Sequence, residues 1–213
     1  MKVRKHTDDK YAGLAKIDFA AAILVGGLSS RMGRNKAALE WNGVSLLRHI
    51  AGTLSPLFRE VLVIGTTDRH TLPEDVRSVP DILPGRGPLG GIHSALMHAS
   101  SDAVFVTACD TPRITTSAVG AFLGLWDGAT AFAAREGERI HPLFALYTKR
   151  ALPAIEDALR DGKHRIQPLL HELDASYVEL VEFNVDHVVD MLANVNTPDD
   201  YQRLLDHDCD GAV

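Results

Sequence analysis

The residues best suited to chemistry sit in four short stretches. The first runs from Ala21 to Lys36. An apolar segment ends at Val25 and enters a loop that holds Gly26, Gly27 and Gly33, Ser29 and Ser30, and then Arg31, Arg34 and Lys36. Glycines let a backbone take positive φ and let a ligand come close, and a sharply bent loop can aim several amides at one anion. Arginine and lysine add the positive charge that neutralises phosphate. The stretch is not a Walker A loop, because Gly33 is followed by Arg34 and Asn35 rather than by Lys and Ser or Thr. It reads as a phosphate-binding loop, the plain alternative being a solvated turn with incidental charge.

The second stretch is an apolar run, 103–108, that ends in Cys109, Asp110, Thr111 and Pro112. Pro112 cannot continue a strand ladder, so Asp110 falls at a strand end. Mg²⁺ is commonly held by one or two carboxylates plus substrate phosphates, so one aspartate beside a phosphate loop is enough. The competing reading is an aspartate that caps the next turn. Cys109 reads as a small buried residue rather than a nucleophile, since no sequence neighbour would activate its thiol. The third stretch, from Asp81 to Ile92, is rich in glycine and proline and opens a helix. Helix N-terminal amides and the helix dipole suit an anion; a flexible connection is the bland alternative.

The fourth stretch is Asn194, Val195, Asn196, Thr197, Pro198, Asp199 and Asp200. Thr197 suits an N-cap, Pro198 the first helical position and the two aspartates the first turn. Capping leaves the two asparagines unexplained. Two further candidates are His141, in a His-Pro pair before an apolar run, and Arg165, in the basic loop Lys163-His164-Arg165 that enters a helix. A structural histidine and a solvated loop are the ordinary readings of these.

The elements that position these stretches follow from periodicity. Apolar runs at 19–25, 60–64, 103–108, 130–134, 143–147 and 177–182 read as strands. Patterns at 46–54, 90–99, 116–125, 151–160, 166–172 and 198–206 read as helices. Near-continuous apolar strands are covered on both faces. Their alternation with helices predicts an α/β fold: a three-layer, Rossmann-like, mainly parallel sheet with helices on both sides. Such sheets bind ligands beyond the carboxyl ends of their strands, which is where the candidate residues fall.

Of the 213 residues, 46% are hydrophobic, enough for one core without disulfide staples. The expected organisation is a loose arm over residues 1–16 and one domain over 17–207. A net charge of −6 offers no basic face for nucleic acid. The longest apolar stretch, 19–25, is too short to span a bilayer. Asp8, Asp9 and Asp18 before it and the lack of a cleavage site after it argue against a secretory signal. Two cysteines without CxxC spacing suit a reducing, cytoplasmic compartment.

The run Leu24-Val25-Gly26-Gly27, then Ser29 to Gly33, then Asn35-Lys36-Ala37 resembles the signature loop of nucleotidyltransferases that join a nucleoside triphosphate to a phosphorylated acceptor. The Gly-Pro-Leu-Gly-Gly element 87–91, Cys109-Asp110-Thr111-Pro112 and Asn194-Val195-Asn196-Thr197-Pro198 follow in the family's order. With the His-Pro pair and the basic loop, the set resembles the molybdenum cofactor guanylyltransferases of the nucleotide-diphospho-sugar transferase fold. The likeness spans about residues 19–205. It departs at Val25, where the usual residue is alanine, and at Gly65-Thr66-Thr67, where relatives often carry an asparagine that contacts the nucleotide.

The resemblance implies nucleotide binding by Leu24, Val25, Gly26, Gly27, Lys36, Asp81 and Asp110, catalysis by Arg31, Lys36 and Asp110, and Mg²⁺ on Asp110. It implies an acceptor side formed by His141, Arg165, Asn194 and Asn196. The implied reaction transfers GMP from GTP to Mo-molybdopterin, with transient contacts to other cofactor-biosynthesis proteins or recipient enzymes. A cytidylyl- or sugar-phosphate nucleotidyltransferase of the same fold, and a non-catalytic nucleotide or pterin carrier, remain as alternatives at this point.

Overall fold

The structure, a computed structural model, describes residues 16–25, 36–65, 72–186 and 188–206. Its centre is a seven-stranded sheet. The strands are β1 (Ile17–Leu24), β4 (Phe58–Ile64), β5 (Val76–Val79), β6 (Ala103–Ala108), β7 (Ala131–Glu136), β8 (Arg139–Thr148) and β9 (Ser176–Glu179). Their spatial order is β5-β4-β1-β6-β8-β7-β9. β1 pairs in parallel with β4 and β6, β4 with β5, and β7 with β9. β8 alone among them runs antiparallel to its neighbours β6 and β7. A small hairpin, β2 (Glu40–Trp41) and β3 (Val44–Ser45), lies apart from the sheet.

Alternation along β1 shows why both faces are covered. Ala21 and Ile23 enter one apolar layer, while Ala20, Ala22 and Leu24 enter the other. The first layer is closed by α1 (Leu46–Leu54) and α3 (Thr116–Gly124), the second by α2 (Gly87–His98), α4 (Leu152–Arg160) and α5 (Ile166–Glu172). The expected three-layer, mainly parallel α/β architecture is therefore what forms. Two short helices, α6 (Val188–Met191) and α7 (Pro198–Asp206), complete the chain's C-terminal part. Val195, Leu39, Leu46 and Leu204 build a third, smaller cluster that docks α7 beside the hairpin.

Several boundaries differ from the sequence expectation, each for a local reason. β5 is a four-residue edge strand whose Val76 and Val79 bury while Arg77 stays exposed, too short for a periodic signal. The second helix, α2, starts at Gly87 rather than residue 90, because Pro88 fits the first turn. β8 begins at Arg139, so His141 and Pro142 lie inside the strand, not before it. The register with β7 slips there, with Ala133 opposite Ala145 and Ala134 opposite His141, as a bulge beside a proline would do. β9 stops at Glu179, where Glu179 and Glu182 form a reciprocal capping box on the 3-10 turn Leu180–Phe183.

Topology gathers the candidates at one edge. The chain leaves β1 for β4 and β5 on one side, then returns to β6 on the other. That reversal makes the crevice beyond the carboxyl ends of β1 and β6 a switch point. The loop before α2, the start of β8 and the α4–α5 loop open at this same edge, given the strand directions.

Candidate active site

Leu24 closes β1, and its carbonyl accepts from the Cys109 N–H at 3.2 Å. Val25 extends the ladder by one rung, donating to the Ile64 carbonyl at 2.9 Å. The ends of β1 and β6 are thus stitched together where the glycine loop begins. Gly26, Gly27 and Arg31 lie outside the described residues. Gly65 permits this closeness: its φ is +119°, and a Cβ there would sit 2.2 Å from the Val25 carbonyl oxygen.

Lys36 opens the 3-10 turn Lys36–Ala38. Its Nζ donates to Asn196 Oδ1 at 2.7 Å and lies 3.5 Å from Asp110 Oδ2. Residues 74 and 160 positions away along the chain thereby meet on one ammonium. Asp110 sits in the turn after β6. Beneath it, the buried Thr111 hydroxyl donates to the Ala108 carbonyl at 3.0 Å and lies 3.1 Å from the Thr107 hydroxyl. The Asp110 carbonyl accepts from the Val195 N–H at 2.8 Å, which ties the C-terminal strap to the strand end.

Burial pushes the Asp110 carboxyl above its ordinary value, and the Lys36 charge and hydrogen bond pull it back only in part. The lysine's short bond goes to asparagine, so the carboxylate is left under-compensated. Cys109 is pushed up to about 12, first by burial and then by the Asp110 charge. The thiol lies in the core, as expected of a small buried residue.

Asp81 Oδ1 accepts from the Leu83 N–H at 3.0 Å and from the Ser94 hydroxyl at 2.8 Å. Ser94 is fully buried in α2, so the aspartate is aimed by the helix that follows it. His141 has its Nε2 buried without a hydrogen-bond partner, 4.0 Å from Glu136 Oε2. Burial, then the Arg139 charge, holds it below the usual histidine range. Arg165 is exposed just before α5 and lines a cavity of about 410 Å³ with Lys163, His164 and Leu169. Asn194 is exposed, while Val195 is buried and Asn196 turns inward. Among the described residues, no hydrogen bond joins Asp81, His141, Arg165 or Asn194 to the Lys36–Asp110–Asn196 trio.

A strand-end carboxylate, an ammonium and an amide thus meet at the switch point of the sheet, the place where such sheets bind ligands. Residues 21–176 match the family described as the MobA-like NTP transferase domain. The chain belongs to that family. As a MobA-like nucleotidyltransferase it has relatives over most of its length. "Probable molybdenum cofactor guanylyltransferase" from Pelotomaculum thermopropionicum is 37% identical over 181 residues, 84% of this chain and 87% of that protein. "Molybdenum cofactor guanylyltransferase" from Vibrio parahaemolyticus is 32% identical over 191 residues, 85% of this chain and 92% of that protein. The solved structure of molybdopterin-guanine dinucleotide biosynthesis protein A from Archaeoglobus fulgidus superposes with a TM-score of 0.78 at 24% identity. It covers 90% of this chain and 100% of that one, which establishes the shared fold.

Some supporting residues were not singled out from the sequence. Ser94 carried no signal, being one polar residue in an apolar helix. Asp200 was read only as first-turn charge, yet its Oδ2 accepts from the backbone N–H groups of Asn196 at 3.0 Å and Thr197 at 2.9 Å. The Thr197-x-x-Asp200 spacing is the readable signal for it. Among the described residues, no helix is long and apolar enough to cross a membrane.

Proposed function

We propose that this MobA-like nucleotidyltransferase transfers GMP from GTP to Mo-molybdopterin, giving molybdopterin guanine dinucleotide and pyrophosphate. The observation that carries the reading is the meeting of Lys36, Asp110 and Asn196 at the carboxyl edge of β1 and β6. The names of the bacterial relatives favour guanine over cytosine. The acceptor phosphate is already an anionic nucleophile, so no general base is needed, and catalysis reduces to alignment and charge neutralisation.

In this reading the backbone at Leu24, Val25, Gly26 and Gly27 cradles the nucleotide. Arg31 and Lys36 meet charge that builds on the leaving pyrophosphate. Asp81 accepts from the guanine edge, whose adjacent N–H donors suit a carboxylate. His141, Arg165, Asn194 and Asn196 form the acceptor side, with the cavity beside Arg165 offering basic rim and apolar floor. Asp110 fits a divalent cation: it is buried enough to be costly as a lone anion, and Lys36 compensates it only at 3.5 Å. In this reading substrate phosphates and water supply the remaining ligands of Mg²⁺. When bound, Mg²⁺ withdraws charge from the reacting phosphate. The free thiol of Cys109 suits a cytoplasmic setting.

The test offers purified protein Mo-molybdopterin with each of the four nucleoside triphosphates and follows pyrophosphate release and the dinucleotide product. GTP should be the preferred donor. Preference for CTP, or nucleotide binding without product, would contradict the assignment.

A further inference from the structure

The backbone that carries the Asn196 amide to Lys36 is held on both sides of the residue. Val195 is anchored twice, by its N–H on the Asp110 carbonyl at 2.8 Å and by its side chain in the cluster with Leu39, Leu46 and Leu204. Past Val195 the strap is clamped by Asp200. Asp200 Oδ2 accepts from the N–H groups of both Asn196 and Thr197, and the Asp200 N–H returns a bond to the Thr197 hydroxyl at 3.1 Å. The Thr197–Asp200 part is a capping box, which starts α7. The bond to Asn196 goes one residue further than capping requires, and it lands on the residue whose side chain holds the lysine.

We propose that Asp200 is a positioning residue for the transfer reaction: its carboxylate sets the Asn196 backbone so that the amide oxygen holds the Lys36 ammonium at the phosphate edge. This rests on the transferase reading above. α7 is docked independently of the clamp, through Leu204 in its cluster and the Tyr201 hydroxyl, which donates to the Glu40 carbonyl at the hairpin. Loss of the carboxylate therefore frees the 196–197 peptides more than it undocks the helix. A displacement of about 1 Å at an aligning group can cost on the order of 100-fold in rate.

The test is a double-mutant cycle on the full chain. Asp200→Ala and Asn196→Ala should each lower kcat on the order of 100-fold, with KM for the nucleotide changed much less. Because the first acts through the second, the double variant should be no worse than Asn196→Ala alone. Asp200→Glu, which keeps the capping-box chemistry, should recover most of the rate. Effects that multiply, a loss confined to KM, or failure of the glutamate to rescue would overturn the proposal. Should Asp200→Ala not fold, the cycle is run with Asp200→Leu, which also lacks an acceptor and suits a helix. Wild-type turnover tests the transferase reading by itself, and the cycle is taken with whichever nucleotide the wild type uses. Amide hydrogen exchange needs no turnover. Exchange at Asn196 should speed up in Asp200→Ala and slow again in Asp200→Glu, whereas unchanged protection would refute the clamp.

Discussion

Replacing Gly65 by alanine is a sharp probe of how the proposed nucleotide cradle is built. The new Cβ would lie 2.2 Å from the Val25 carbonyl oxygen, about 0.8 Å inside the closest approach that Cβ atoms make. The obstacle is backbone, so no side-chain rotation relieves it. Gly65 cannot retreat easily, because its N–H holds the Val79 carbonyl at 3.0 Å, and Val25 cannot retreat because its N–H holds Ile64 at 2.9 Å. A non-glycine residue at such a φ costs about 1–3 kcal/mol, and loosening one rung adds roughly 0.5–1.5 kcal/mol. The expected loss is about 3 kcal/mol, which lowers Tm by roughly 6–12 °C in a chain of this size. Because Val25 leads into the proposed cradle, a shift of about 1 Å there should also lower kcat/KM for GTP on the order of 100-fold. Thermal unfolding with and without GTP, alongside initial rates, reads both effects. A variant with wild-type Tm and wild-type kcat/KM would refute the argument that this close approach shapes the site.

Lys36→Ala should lower turnover roughly 100- to 1,000-fold while the protein stays folded, and it removes the two largest of the influences that lower the Asp110 carboxyl. In the protein without Mg²⁺ the Asp110 carboxyl, held above the ordinary aspartate value of 3.8 by burial, should titrate higher still in this variant, as followed by carboxyl NMR; a titration that stays put would show that Lys36 does not compensate it. Asp110 titrates higher in the folded chain than in the unfolded one. Its contribution to stability is therefore full below the ordinary aspartate value and is lost as pH rises through the folded-state value. Asp110→Asn should lose stability less steeply than wild type over that window, as read from urea midpoints at a series of pH values. In a Cys209→Ser background, the buried Cys109 thiol should resist alkylation at pH 8 until the protein unfolds, and rapid labelling of the native state would show that its burial is overstated.

The layers were legible because β1, β4 and β6 are nearly continuous apolar runs that only two-sided burial explains, and the helices follow at matching intervals. The direction of β8 was not legible. Periodicity along a single strand is the same in either orientation, and only pairing with β6 and β7 reveals the reversal. The edge strand β5 and the β2–β3 hairpin were too short to stand out. Within the site, Asp110 could be placed from its strand and the proline after it. That Asn196 rather than Asn194 would reach Lys36 could not be read, because it depends on Val195 turning into a cluster made with Leu39, Leu46 and Leu204 from distant parts of the chain. The roles of Ser94 and Asp200 were hidden for the same reason, as both act through bonds that close only after helices dock.

The proposed transfer requires Asp110 and Lys36 to serve one triphosphate. The most direct measurement is the rate of molybdopterin guanine dinucleotide formation from GTP and Mo-molybdopterin by wild type and by folded Asp110→Ala. Product from the wild type and a loss on the order of 1,000-fold in the variant is the predicted result. An Asp110→Ala enzyme that works at the wild-type rate would contradict it.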